Sequence, residues 1–237
     1  MPRTPGLFVT GTDTGVGKTI VARGLIQALR AQGLDVAAMK PVETGVGRDG
    51  PADALALANA TDHSEPLELI CPLQFELPAA PSVAAADAQS PLHLETVRSA
   101  WQALQSRHEF VVVEGAGGLL VPLMANFDMG DLALEMRLPL VVVARPALGT
   151  INHTLLTIRE AERRGLGLLG VIFSHAERNL SAADQKNFDA LKDSLGNTVL
   201  GEVPFLEGPA ELPKGVIDPA ALFDRIKQFD AKNDVAS

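Results

Sequence analysis

The sequence predicts an α/β fold, a doubly wound and mostly parallel sheet flanked by helices. Three observations predict it. Short apolar, β-branched runs alternate with stretches of helical period along the chain, which is the layout of βαβ units. The runs Val111-Val112-Val113 and Leu140-Val141-Val142-Val143 are apolar without alternation, as strands covered on both faces must be. Between the first such run, Leu7-Phe8-Val9, and the first helical pattern lies a glycine-bearing loop that ends in Gly17-Lys18-Thr19. Strand, loop, Gly-Lys-Thr and helix in that order form a phosphate-binding loop. No period of 20 to 50 residues is present, so a repeat array is excluded.

Taken in order, the helix after the loop carries Ile20, Leu25, Ile26 and Leu29, and Gly33 ends its pattern as a C-cap. Leu34 to Met39 reads as a second strand, stopped by Pro41. Residues 45 to 52 form a loop into a helix that starts near Asp53. Residues 62 to 93, with their prolines and weak periodicity, read as a long irregular connection. A helix is expected over Leu94 to Arg107, followed by a buried strand from Phe110 into Glu114. Leu138 to Ala144 is another buried strand, and a helix then runs through Arg164 to a capping Gly165. Leu168 to Phe173, Ala182 to Leu195 and Val199 to Val203 continue as strand, helix and strand. A terminal helix near Ala220 to Phe229 places Leu222, Phe223, Ile226 and Phe229 on one face.

The loop carries the first chemistry. Its glycines let backbone N–H groups turn toward phosphate, and the new helix adds its positive end. Lys18 would reach the β- and γ-phosphates of a nucleotide, and the Thr19 hydroxyl would hold Mg²⁺. The loop is lengthened, because Gly11 stands one position earlier than the common spacing from Gly17 allows. Lys40 ends the second strand at the edge where open parallel sheets bind ligands. On spacing alone it reads equally well as a solvated strand-end lysine. Asp53 is a first-turn carboxylate, a metal ligand, or both. Glu114 ends a buried strand at the position where phosphate-loop proteins place an acid for Mg²⁺, and Gly117 and Gly118 let the backbone approach a ligand behind it.

Composition excludes several classes. The 237 residues suit a single ATP-binding α/β domain, residues 1–237, with 46% hydrophobic residues for its core. The apolar runs are too short to cross a bilayer, and the first six residues leave no room for a signal peptide. A lone cysteine, Cys71, forms no intrachain disulfide and fits a reducing cytoplasm. A net charge of -9 argues against nucleic acid or an anionic membrane as partner.

Gly11 to Thr19, Lys40-Pro41-Val42, Asp53 to Leu57, Val113 to Gly118, Leu148 to His153 and Gly201 to Leu206 together resemble dethiobiotin synthetase, a P-loop NTPase-like family, in family order across nearly the whole chain. The resemblance implies an ATP-dependent ligase of biotin biosynthesis. Its substrates are 7,8-diaminononanoate, CO₂ and MgATP, and it closes a cyclic urea through a carbamic–phosphoric anhydride. By resemblance the catalytic residues are Lys40, Lys18 and Thr14, and Mg²⁺ is held by Thr19, Asp53 and Glu114. The nucleotide is taken by Gly15, Val16, Gly17, Lys18 and Thr19, with Asp53 and Glu114. Gly115, Ala116 and Gly117 belong to the same set, with Ser174, His175, Pro204, Phe205, Leu206 and Glu211 toward the base. The diamine is assigned Thr14, Lys40 and Thr44, then Gly117 and Gly118, then Leu148, Gly149, Thr150 and Asn152. A homodimer with its substrate site at the interface is also implied.

Three positions depart from the family pattern. Gly15 stands where several relatives have Glu, Thr44 where they have Ser, and Ser174 where an Asn often reads adenine. One serine hydroxyl makes fewer base contacts than an amide, so weak discrimination among nucleobases is expected. Two other readings compete. A cobyrinate-type amide ligase shares this loop style but usually carries a glutaminase domain with a nucleophilic Cys, for which one cysteine and this length leave no room. An ATP-switched partitioning ATPase carries an extra lysine near the start of the loop, and Thr10 to Thr14 contains none.

Overall fold

Chain order is strand β1 (Gly6–Gly11), helix α1 (Lys18–Arg30), β2 (Val36–Met39), β3 (Val42–Thr44), α2 (Ala52–Ala60), α3 (Leu67–Ile70), β4 (Leu73–Phe75), α4 (Pro81–Asp87) and α5 (Leu94–Arg107). Then come β5 (Phe110–Gly118), β6 (Pro122–Met124), β7 (Phe127–Asp128), α6 (Met129–Glu135), β8 (Leu140–Ala144), α7 (Thr150–Arg163), β9 (Leu168–Ser174), α8 (Ala182–Leu195), β10 (Val199–Val203) and α9 (Pro219–Val235). The computed structural model describes residues 6–207, 212–213 and 215–235.

Six strands form one parallel sheet in the order β10-β9-β8-β1-β5-β2. From β1 the chain crosses to the edge strand β2, returns as β5 between the two, then passes to β8 on the other side of β1 and winds outward through β9 and β10. The reversal at β1 opens a crevice at the carboxyl ends of the strands, where open α/β sheets bind ligands. Strand residues of opposite parity feed two layers. Leu7, Val9, Val112, Val141 and Val143 pack under α1 and α9 through Leu25, Leu29, Leu222 and Ile226. Phe8, Val111, Val113 and Leu140 face α5 and α6, while Val142, Val171 and Phe173 face α7 and α8. Each fully buried Leu or Val side chain contributes about 1.5–3 kcal/mol over an exposed one.

Several boundaries differ from the sequence expectation. Residues 62 to 93 are not one irregular connection, because α3, β4 and α4 lie within them. There β3 pairs in parallel with β4, Val42 opposite Leu73 and Thr44 opposite Phe75, so the chain resumes as strand just after Pro41. These elements are three to seven residues long, below the length at which periodicity can be read. The pair β6–β7 and helix α6 were not foreseen either. Helix α1 ends at Arg30, and Gly33, with φ 85°, sits in the turn beyond its cap. The terminal helix extends past Phe229 to Val235.

Candidate functional site

The loop between β1 and α1 closes over its own first glycine. A Cβ on Gly11 would lie 2.7 Å from the Asp13 carbonyl oxygen and 3.0 Å from Lys18 Nζ, so only glycine admits this path. Gly17 precedes α1 at φ 91°, and a Cβ there would come within 2.3 Å of Ser174 Oγ. The Lys18 ammonium donates to the Asp13 carbonyl at 3.1 Å. Burial holds it below the ordinary lysine value against the pull of Glu114.

Beside the loop, four side chains from four elements converge. Lys40 follows β2 and is 3% exposed. Its Nζ donates to Asp53 Oδ2 at 2.7 Å and to Glu114 Oε1 at 2.6 Å. The Thr19 hydroxyl lies 2.8 Å from Asp53 Oδ1 and 2.9 Å from Glu114 Oε1, and its one proton serves one of them at a time. Burial alone would lower the Lys40 ammonium, but Glu114 and Asp53 outweigh it and hold the group above its ordinary value. Burial likewise would raise the Asp53 carboxyl, and the Lys40 charge and hydrogen bond bring it below the usual range. The solvated strand-end reading of Lys40 is therefore wrong: it is buried and paired.

Glu114 is fully buried, and its second oxygen, Oε2, has no hydrogen-bond partner among the described residues. An orphaned buried carboxylate oxygen beside a hydroxyl and a second carboxylate is a hard-oxygen set, and it fits Mg²⁺ completed by phosphate oxygens. Among the described residues no three His, Cys, Asp or Glu side chains cluster for a metal, so an ion at this place would meet two carboxylates and one hydroxyl.

The remaining candidates spread along the same edge. Thr14 and Gly118 line a groove of about 340 Å³ with Leu119, Leu120 and Leu156, and a Cβ on Gly117 would lie 3.8 Å from the Thr14 hydroxyl. Leu148, Gly149, Thr150 and Asn152 line the adjoining cleft of about 400 Å³, and Leu156 borders both. Thr150 is buried with its hydroxyl unpartnered among the described residues, Asn152 is exposed, and Leu148 is 84% exposed. Thr44 ends β3, half-buried. Val16 is in the core and Gly15 is exposed in the loop, while Gly115 and Ala116 continue β5 past Glu114.

On the far side of β1, Val203 stands opposite Ser174, and the His175 N–H donates to the Val203 carbonyl at 3.0 Å. Ser174 is buried against Gly17, and His175 Nε2 lies 2.8 Å from Glu202 Oε1. Pro204, Phe205 and Leu206 follow β10, with the Arg178 guanidinium 5.8 Å above the Phe205 ring. Glu211 lies outside the described residues. Cys71 is buried, and burial pushes its thiol up to about 12, so it is no nucleophile.

One residue at the site was missed by the sequence reading. Glu43 is buried on β3, and its Oε1 and Oε2 accept from the backbone N–H groups of Asp53 and Ala54, each at 2.9 Å. Burial pushes its carboxyl up, and the two N–H donors oppose that. The only available signal was an acid three residues after Lys40.

The AAA-domain family profile matches residues 5–210. The ATP-dependent dethiobiotin synthetase BioD of Thermodesulfovibrio yellowstonii is 38% identical over 238 residues, covering 95% of this chain and 96% of that protein. The protein of the same name from Anaeromyxobacter dehalogenans is 53% identical over 169 residues, covering 71% and 76%. That from Bacillus licheniformis is 39% identical over 203 residues, covering 85% and 86%. Among solved structures, a putative plasmid partition protein from Borrelia burgdorferi bound to AMPPNP aligns with TM-score 0.55 at 11% identity, covering 98% of this chain and 99% of that one, a likeness of fold alone. With the phosphate loop, the paired Lys40 and the whole-length identity in place, the chain belongs to the ATP-dependent dethiobiotin synthetase family.

Proposed function

We propose that this enzyme uses ATP to close the cyclic urea of dethiobiotin from 7,8-diaminononanoate and CO₂. The observation that carries the reading is the Lys40 ammonium, buried against Glu114 and Asp53 beside the Lys18-Thr19 turn. A cation held so firmly protonated is no base at neutral pH. It serves as a fixed positive charge for an anionic carbamate and for its phosphorylated form. One amine of the substrate adds through its lone pair to the carbon of CO₂ and, losing a proton to solvent, gives that carbamate. A carbamate oxygen attacks the γ-phosphorus, the bond to the bridging oxygen breaks, and ADP leaves with the electron pair. The second amine then attacks the carbonyl carbon and expels phosphate, its proton passing to solvent. Lys18 neutralises charge on the transferred phosphoryl group. Thr19, Asp53 and Glu114 would hold Mg²⁺, which when bound neutralises charge across the β- and γ-phosphates. Thr14 and Thr44 donate or accept at the carbamate and amine groups. Gly117, Gly118 and the 148–152 stretch border the diamine.

A homodimer belongs to the same reading, supported by Leu148, Leu156 and Leu120, exposed by 84, 55 and 63% along the two clefts. Apolar side chains grouped beside a ligand groove mark a surface that a partner covers. Among the described residues no helix is long and apolar enough to cross a membrane. The direct test is ADP release on adding 7,8-diaminononanoate with bicarbonate, with dethiobiotin identified by mass. ADP release that ignores the diamine would overturn the reading.

A further inference from the structure

Helix α2 opens without a cap of its own. Its N-cap residue is Pro51, which has no side-chain acceptor, yet the first N–H groups of a helix need partners. They find one ten residues upstream. Glu43 Oε1 accepts from the Asp53 N–H and Oε2 from the Ala54 N–H, both at 2.9 Å. An ionised carboxylate can take both, and the helix dipole favours a negative charge there.

Glu43 belongs to the same four-residue segment as Lys40. The two ends of Lys40-Pro41-Val42-Glu43 therefore grip one residue: Glu43 holds the Asp53 backbone, and Lys40 Nζ holds the Asp53 carboxylate at 2.7 Å. A serine or aspartate at position 51 would have capped the helix but tied it only to itself. Glu43 instead ties the helix to β3, and through β3 to the site. We infer that Glu43 is a positioning residue, which sets Asp53 where its carboxylate meets Thr19 and the Lys40–Glu114 pair and so completes the divalent-ion site. The inference rests on the proposed metal role of Asp53.

The test uses Glu43→Ala, Glu43→Gln, Asp53→Ala and the double variant Glu43→Ala/Asp53→Ala. ADP affinity is measured calorimetrically with and without Mg²⁺, beside the Mg²⁺ dependence of turnover and the KM for diamine. Residues behind a ligand shell typically govern about 10–100-fold of metal affinity. Glu43→Ala is expected to lose about tenfold or more of the tightening that Mg²⁺ confers on ADP, with Mg²⁺-free affinity and diamine KM nearly unchanged. The double variant should be no worse than Asp53→Ala. Glu43→Gln keeps one acceptor and sets an amide N–H against the other donor, so an intermediate loss is expected. This variant carries the test if Glu43→Ala fails to fold.

Wild-type Mg²⁺ tightening in the Glu43 variants, with Asp53→Ala defective, would overturn the inference and spare the metal reading. Asp53→Ala with wild-type tightening would overturn both. A Glu43→Ala effect undiminished in the Asp53→Ala background would show that Glu43 acts elsewhere and overturn the inference.

Discussion

Lys18 and Lys40 bring two positive charges into one site, and their surroundings separate their roles. Lys18 is held by a carbonyl of its own loop and loses charge preference to burial, so it gains most from nucleotide phosphates. Lys40 is held by two carboxylates. Lys18→Ala is therefore expected to weaken ATP binding and to cut kcat/KM by about 10²–10³-fold, the usual loss for one preorganised charge donor. Lys40→Ala should keep nucleotide affinity within a few-fold while losing urea closure. It should also cost roughly 3–5 kcal/mol in urea unfolding, because Glu114 is left as an uncompensated buried charge. A collapse of ATP binding in Lys40→Ala would move Lys40 into the phosphate site. The residues named by motif, Lys18 and Thr19, were legible because their spacing is the chemistry. Glu43 was not, since capping patterns are read three residues ahead and this acid caps a helix ten residues away.

Helix α6 and the β6–β7 pair show what sets the limit for whole elements. A seven-residue helix and strands of two and three residues carry too few apolar positions for a period to show. The signal present was local: Asp128 accepts from the Asp131 N–H while Asp131 accepts from the Asp128 N–H, a capping box built from two aspartates. Arg164, at the end of α7, fixes this box by donating to Asp128 Oδ1 and Oδ2, both at 2.7 Å, and to Asp131 and Glu160. Burial would raise the Asp128 carboxyl, but the Arg164 hydrogen bonds bring it below the usual range. Arg163 and Arg164 lower Glu160 to about 2. Carboxyls depressed in the folded state contribute stability above their unfolded pKa, and that stability is lost as pH falls through the folded value. The Asp128 and Glu160 side chains are exposed alike, by 17 and 18%, so both take part in the effect. Arg164→Leu should therefore lower neutral-pH stability by about 1–3 kcal/mol. It should also flatten the loss of stability below about pH 4, near the ordinary Asp value. An unchanged acid limb in chemical denaturation would refute the assignment.

At the scale of the molecule, the apolar lip around the two clefts makes the proposed homodimer testable. Leu148→Glu with Leu156→Glu should give a monomer by light scattering and raise the KM for diamine by about tenfold or more, since about 1.4 kcal/mol of lost contact is tenfold. A dimer that survives both charges would place the interface elsewhere. The sequence by itself determined the α/β class, the order of the six sheet strands along the chain, the phosphate loop and the family. Those features are written in local spacing: apolar runs, glycines at fixed offsets, and a lysine or acid at the end of a strand. Only the tertiary structure decided that Lys40 is paired rather than solvated, that one oxygen of Glu114 is left without a partner among the described residues, that Ser174 lies against Gly17, and that Glu43 caps α2. Each of those depends on which strands become neighbours. The order β8-β1-β5-β2 carries β5, with Glu114, between β1 and β2, so that side chains 74 residues apart meet at 2.6 Å. Burial and pairing of a charge are set by such neighbours, and no window along the chain contains them.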